Sequence, residues 1–291
     1  MKSLIYSLLL GCLCISSSRA DFRAYEAEVD ESVWDYSGNP VRCELKHKIP
    51  LFGEAIFYSS AGRLPNMTFI LDGSRNRVAT DKPIHIRSLA PDWLPGKRGN
   101  EIGKVMTLPG EKTLNIFDDV AWKLLIALES GRIPTFFYRD LLDNSDQVSV
   151  ALSNIQFRNV YTDFLQCVDD LLPYGFREIE YSLVHFRFNS SRLGDDAKKK
   201  LDWLAAYLKY DERYDSVVIE GHTDSIAFRR YNKALGLKRA KMVREYLVKQ
   251  GVDRSKVRVI SRGERRPLES NATEEGRALN RRVFITVRDS S

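Results

Sequence analysis

The fold is decided by residues 220–287, which read EGHTDSIAFRRYNKALGLKRAKMVREYLVKQGV (220–252), VRVISRGERRP (257–267) and NATEEGRALNRRVFITV (271–287). The β-branched run Val217-Val218-Ile219 predicts a buried strand that ends in Gly221-His222-Thr223-Asp224. A Tyr231-Asn232 loop leads into a basic helix whose apolar positions Leu235, Val243 and Leu247 share one face, and Gly251 stops it. A second strand, a short helix, Asn280-Arg281-Arg282 and a last strand follow. This order predicts an α/β domain with a small mixed sheet and helices on one side. Its strands are expected near 179–188, 216–220, 257–261 and 283–287. A helix over 197–210 places Ala197, Leu201, Leu204 and Leu208 on one face, so it should cover the sheet.

Asp224 stands at the end of the buried strand, and Arg239 lies fifteen residues on, inside the helix. A strand-end carboxylate near a helix-borne guanidinium makes a paired-charge pocket that suits a zwitterion. Spacing alone leaves open the plainer reading of two separate surface charges. The surrounding residues Thr223, Tyr231-Asn232, Arg239-Ala240, Gly263-Glu264, Pro267 and Asn280-Arg281-Arg282 add a further fact. Together they resemble the OmpA-like peptidoglycan-binding domain shared by OmpA, Pal and MotB. The resemblance implies that Asp224 and Arg239 contact the diaminopimelate group of a wall stem peptide. It implies Phe188 and Leu235 as apolar walls, with Thr223 and Asn232 completing the set. One departure stands out: the family has a Gly soon after Thr-Asp, whereas this chain has Ser225-Ile226-Ala227. The loop is therefore expected to be shaped differently.

Residues 1–20 read as a secretory leader. Lys2 supplies the positive end, residues 4–15 are an apolar run, and Ser18-Arg19-Ala20 puts small residues before a cleavage point at Asp21. The run is short of the about 20 apolar residues that span a bilayer. Leu9-Leu10-Gly11-Cys12 also looks like a lipobox, an alternative that would leave a very short apolar region. Of the four cysteines, Cys12 and Cys14 leave with the leader, so Cys43 and Cys167 remain. In an oxidising compartment the two most simply pair; the alternative is two buried free thiols.

Residues 21–172 form the expected first domain, and 173–291 the second, with the linker at Pro173-Tyr174-Gly175. The first is mainly short extended runs, such as GEAIFYSSAG (53–62), NMTFILDG (66–73), KPIHIRSLA (82–90) and GKVMTLPG (103–110). Each is bounded by turn residues, which predicts an antiparallel sandwich or small barrel. A helix capped by Asp118 or Asp119 and ended by Gly131 interrupts them, and residues 160–172 look helical again. The carrying residues Tyr25-Glu26-Ala27, Ser32-Val33-Trp34, Cys43-Glu44-Leu45, Ile49-Pro50-Leu51-Phe52-Gly53 and Ala55-Ile56-Phe57 resemble the MotY family of sodium-driven flagellar motors. That resemblance implies a periplasmic, non-enzymatic ring component around the basal body. Its implied partners are MotX and, through it, the PomA/PomB stator units, whose assembly it helps.

Charge is uneven. Residues 221–291 carry 18 Lys and Arg against 8 Asp and Glu, a net of +10, whereas residues 21–220 carry 25 against 31, a net of −6. A basic tail can mean nucleic acid, but the leader argues for the anionic cell wall. His47, His85, His185 and His222 are scattered without metal-ligand spacing, and no nucleophile elbow or phosphate loop occurs. No catalytic residue, metal or cofactor is expected, nor any membrane-spanning segment after the leader. Two alternatives remain at this point: an outer-membrane porin-type barrel with the same tail, and a wall hydrolase that uses the tail as an anchor.

Overall fold

The computed structural model of the chain describes residues 22–73, 82–91, 99–107, 113–140, 147–211 and 213–289. The expected leader and its cleavage point lie outside these residues, as does the end of the 103–110 run. In chain order, the first part comprises β1 (Phe22–Tyr25), β2 (Trp34–Asn39), β3 (Arg42–Ile49), β4 (Gly53–Ser60), β5 (Thr68–Gly73), β6 (Ile84–Leu89), β7 (Asn100–Val105), β8 (Thr113–Phe117), α1 (Asp118–Glu129), β9 (Ile133–Arg139), β10 (Gln147–Ala151) and α2 (Phe157–Asp169).

These strands make two five-stranded sheets, β2-β3-β4-β5-β8 and β1-β10-β9-β6-β7. The first is antiparallel throughout, and in the second only β1 runs parallel to its neighbour β10. Period-two alternation explains the layering. In β3, Cys43, Leu45, His47 and Ile49 are buried while Lys48 faces out. Aromatic rings fill the space between the sheets: Phe69 of β5 stacks on Phe136 of β9 with centroids 5.4 Å apart. The sequence left sandwich and barrel open, and the sandwich is what forms. Its strands are 4 to 8 residues long, shorter than the about 9–11 residues of a membrane barrel strand. Among the described residues no helix is long and apolar enough to cross a membrane.

The α1 helix starts differently from expectation. Its N-cap is Phe117, which makes no side-chain cap, and Asp118 opens the first turn. The Asp118 N–H donates to the Met67 carbonyl at 2.7 Å, so this aspartate joins the helix to the start of β5. Gly131, with φ of +77°, ends α1 as the sequence suggests. Its N–H and that of Arg132 return to the Leu128 and Ala127 carbonyls at 3.0 and 2.9 Å.

The α2 helix packs on β2 and β3, where Trp34 stacks on His47 at 4.5 Å and meets Phe157 edge-on at 5.0 Å. Cys43 of β3 and Cys167 of α2 are joined by a disulfide across a separation of 124 residues. The bridge ties the beginning of this sandwich to its last helix. Leu172 then donates to the Pro40 carbonyl at 2.9 Å and accepts from the Gly62 N–H at 3.1 Å, stitching the exit of the chain to two turns of the sandwich.

The second part holds α3 (Phe176–Ile179), β11 (Tyr181–His185), α4 (Asp195–Tyr210), β12 (Tyr214–His222), α5 (Arg229–Lys249), β13 (Val257–Gly263), α6 (Glu274–Asn280) and β14 (Arg282–Asp289). The sheet order is β11-β14-β12-β13. Only β12 and β13 are parallel, joined by the α5 crossover. Ala197, Leu201, Leu204 and Leu208 of α4 are all buried against this sheet, with Ala240, Val243 and Leu247 of α5. Val41 and Ala61 of the sandwich join this second core, and Tyr174 stacks on Trp203 of α4 at 5.3 Å.

The bridge makes the first prediction. Closing so long a loop should contribute roughly 5 kcal/mol on the chain-entropy view. Cys167→Ser, or reduction of the unmodified chain, should lower the unfolding free energy of the sandwich by up to that amount, read as a lower midpoint in a denaturant titration. An unchanged midpoint under strong reductant would contradict it.

Candidate functional site

A contact between two glycines shapes the site. A Cβ on Gly221 of β12 would fall 1.8 Å from the Gly236 carbonyl oxygen, and one on Gly236 would fall 2.8 Å from the Gly221 oxygen. The strand and α5 therefore meet backbone to backbone. A glycine in a helix interior costs about 1 kcal/mol relative to alanine; here it allows the approach that seats Arg239 beneath the end of β12.

Arg239 is fully buried. Its Nε donates to the Ser190 carbonyl at 2.8 Å, Nη1 to the His222 carbonyl at 2.9 Å and Nη2 to the Arg187 carbonyl at 3.2 Å. The guanidinium also lies 5.2 Å from the Phe186 ring centroid. Burial pushes its pKa down to about 10, against the pull of the Asp224 carboxylate, so it stays a cation at neutral pH. Three of its five N–H donors are committed to these carbonyls, and two are not used by them.

Asp224 also has a partner within the protein, one that the spacing did not show. Its Oδ2 accepts from Arg281 Nη1 at 3.1 Å, and both side chains are 7% exposed. Arg281 in turn donates to Glu274 Oε1 at 2.8 Å. The Asn280-Arg281-Arg282 motif thus has structural work at every position. Asn280 accepts the Leu268 and Glu269 N–H groups at 2.6 and 3.0 Å, and Arg282 donates to the Arg266 carbonyl at 3.2 Å.

Above this charged floor lies an open pocket of about 320 Å³. Asp224, Arg239, Asn232, Leu235 and Phe188 all line it, together with Asn189, Ala227, Phe228 and Tyr231. Asn232 donates to the Ala227 carbonyl at 2.8 Å and to Glu264 Oε2, while Tyr231 donates to Asn189 Oδ1. Thr223 is not among the lining residues. It is buried one residue behind, where its N–H donates to the Gly263 carbonyl at 3.0 Å. The rim is apolar and exposed, with Phe188 at 57% and Phe228 at 89%. Sequence reasoning passed over Phe228, Tyr231 and Asn189 as site residues. The signal for Phe228 was the Ser225-Ile226-Ala227 segment, which delivers it to the rim. The arrangement offers a carboxylate, a guanidinium with donors to spare and aromatic walls, which together fit a charged group carried on an aliphatic arm.

His222, two residues before Asp224, is buried. Burial, reinforced by the nearby Arg282 cation, pushes it down to about 4. It is neutral at pH 7, and its Nδ1 has no hydrogen-bond partner.

Residues 25–173 match the MotY N-terminal domain family, and residues 185–281 match the OmpA family. Over 286 residues the chain is 31% identical to the sodium-type flagellar protein MotY of Vibrio parahaemolyticus, covering 96% of this chain and 95% of that protein. The second half alone is 43% identical over 101 residues to the peptidoglycan-associated lipoprotein of Pseudomonas aeruginosa, covering 35% of this chain and 59% of that protein. A crystal structure of the peptidoglycan-associated lipoprotein from Burkholderia pseudomallei is 33% identical with a TM-score of 0.35, covering 36% of this chain and 89% of that one.

Two predictions follow from the local geometry. Gly221→Ala must part α5 from β12 and should destabilise the tail by about 2–3 kcal/mol, read from a denaturant titration; a wild-type midpoint would show that the backbone contact is dispensable. The second concerns pH. The folded pKa of His222 near 4 lies below its ordinary 6.5, so the unfolded chain binds the proton more readily. The stability this group contributes is complete above about pH 6.5 and is lost as pH falls through 6.5 toward 4. Lowering the pH from 7 to 5 should therefore depress the melting temperature of the unmodified tail more than that of His222→Gln. Equal drops would contradict this.

Proposed function

The chain belongs to the MotY family, and we propose that it is a non-enzymatic, wall-anchored component of a bacterial flagellar motor. The observation that carries the reading is the pocket in which buried Asp224 and Arg239 lie beneath exposed aromatic rings. Its proposed ligand is peptidoglycan, through the diaminopimelate centre of a stem peptide. The ammonium of that centre takes Asp224, and its carboxylate takes the two remaining donors of Arg239. The aliphatic arm lies between Phe188 and Leu235, with Asn232 fixing the floor. Thr223 supports the pocket from behind by holding the strand end on β13.

The sandwich is the proposed motor-docking part, with the division between the two parts at about residue 172. MotX is its proposed partner, and through MotX the PomA/PomB stator units and the ring around the basal body. The proposed location is the periplasm, for which the disulfide gives support because such bonds persist in oxidising compartments. Packing of Val41 and Ala61 into the second core supports mechanical coupling, since a pull on the wall would pass directly into the sandwich.

The test is pull-down of the full chain on purified peptidoglycan sacculi. Phe188→Ala removes an exposed wall and should leave the fold intact. Asp224→Asn keeps the shape and a hydrogen bond to Arg281 but loses the charge. A charge-assisted hydrogen bond contributes roughly 1.5–3 kcal/mol, so Asp224→Asn should bind about tenfold more weakly or worse. Lys198→Ala, on the exposed face of α4, should bind normally. Wild-type binding by folded Asp224→Asn and Phe188→Ala would refute the pocket.

A further inference from the structure

A second and larger concavity, of about 740 Å³, lies on the other flank of α5. Arg229, Arg230 and Lys233 enter it from the first turns of the helix, and Arg265 and Arg266 enter it from the turn after β13. All five are exposed, and none has a carboxylate partner among the described residues. Glu220 is paired with Arg262, which also lines the groove, and Glu264 is the one carboxylate among the lining residues, with one oxygen accepting from Asn232, so the five cations outnumber it. Cations elsewhere are often paired, as in Lys123–Asp119, Lys198–Asp195 and Arg254–Glu245.

The cluster is unfavourable for folding. The first turn of α5 holds no acidic residue, and its N-cap Phe228 makes no side-chain cap. Cations at that end oppose the helix dipole and repel one another. Charges held against local preference point to an external anion. No apolar side chain lines the groove, and its concave shape suits a chain rather than a planar bilayer. The first turns of α5 also form the wall between this groove and the pocket. Phe228, Tyr231 and Asn232 face the pocket, while Arg229, Arg230 and Lys233 face the groove. The Asn232–Glu264 hydrogen bond links the two sides.

We propose that this groove is a second anion site for the same polymer, holding carboxylates of a neighbouring stem peptide while the pocket holds one. The proposal rests on the pocket reading for the identity of the polymer. It makes attachment bivalent, so intact wall binds more tightly than a lone stem peptide. It also makes the additional affinity sensitive to salt, because exposed charges are screened.

The test uses the full chain with Arg229→Gln, Arg265→Gln and Arg266→Gln combined, all at exposed positions whose loss leaves the core untouched. At low salt this variant should bind sacculi about tenfold more weakly, from the sum of several exposed charge pairs. At high salt it should match the unmodified chain. Binding of a soluble single stem peptide should be the same for both proteins. Equal sacculus binding at low salt would overturn the groove and leave the pocket standing. Vesicles containing phosphatidylglycerol provide the remaining arm. If the variant loses vesicle binding but keeps full sacculus binding, the groove belongs to a membrane surface and the proposal fails. If the single stem peptide does not bind even the unmodified chain, the pocket reading falls, and the groove is still decided by the low-salt sacculus comparison.

Discussion

A guanidinium buried without a carboxylate of its own organises the tail. Desolvating a charge is among the largest penalties in a protein interior, tolerable only when its donors are satisfied. Arg239 meets that condition for three of its five donors, on the carbonyls of Arg187, Ser190 and His222, which come from the loop after β11 and from the end of β12. These carbonyls fix the backbone on either side of the pocket. The Gly221–Gly236 contact allows the helix to come close enough for this to happen. Asp224 then adds a carboxylate at the same floor, itself held by Arg281 from the end of α6. Fold and pocket are one construction here, because the guanidinium that lines the pocket is also the brace that shapes its walls.

The sandwich is held by other means. Its core is largely aromatic and aliphatic, and the polar Trp34 Nε1 is satisfied by the Ser153 carbonyl at 2.9 Å. The Cys43–Cys167 bridge fastens α2 to the sheet. From there the chain runs through Leu172 and Tyr174 into the second core, held by backbone hydrogen bonds and by the Tyr174–Trp203 stack. The two parts are therefore joined by packing and backbone hydrogen bonds as well as by the chain itself.

Much of the architecture was legible in the residues. The run Val217-Val218-Ile219 marked β12, and the spacing of Ala197, Leu201, Leu204 and Leu208 marked the buried face of α4. Cys43 and Cys167, the two cysteines outside the expected leader, form the pair that was the simpler of the two expectations. What escaped were facts of long-range register. Asp224 and Arg281 are 57 residues apart, and only the path of the chain through α6 into β14 brings them together. Nothing local ties them, whereas Arg239 sits on a helix that follows Asp224 directly. Sandwich and barrel share the same period-two pattern, so alternation could not separate them. Gly236, inside α5, drew no reading from the sequence, and its backbone contact with Gly221 gives it a reason.

The central claim is that the Asp224–Arg239 pocket receives the zwitterionic centre of a wall stem peptide. The most direct measurement is a heteronuclear NMR titration of the full chain with soluble stem peptides. One peptide should carry diaminopimelate and the other lysine, which has the ammonium but lacks the second carboxylate. The account predicts saturable shifts at Phe188, Asn189, Phe228, Asn232 and Leu235 with the diaminopimelate peptide, and about tenfold or weaker binding of the lysine peptide. Equal binding of the two peptides, or shifts that avoid these residues, would contradict it.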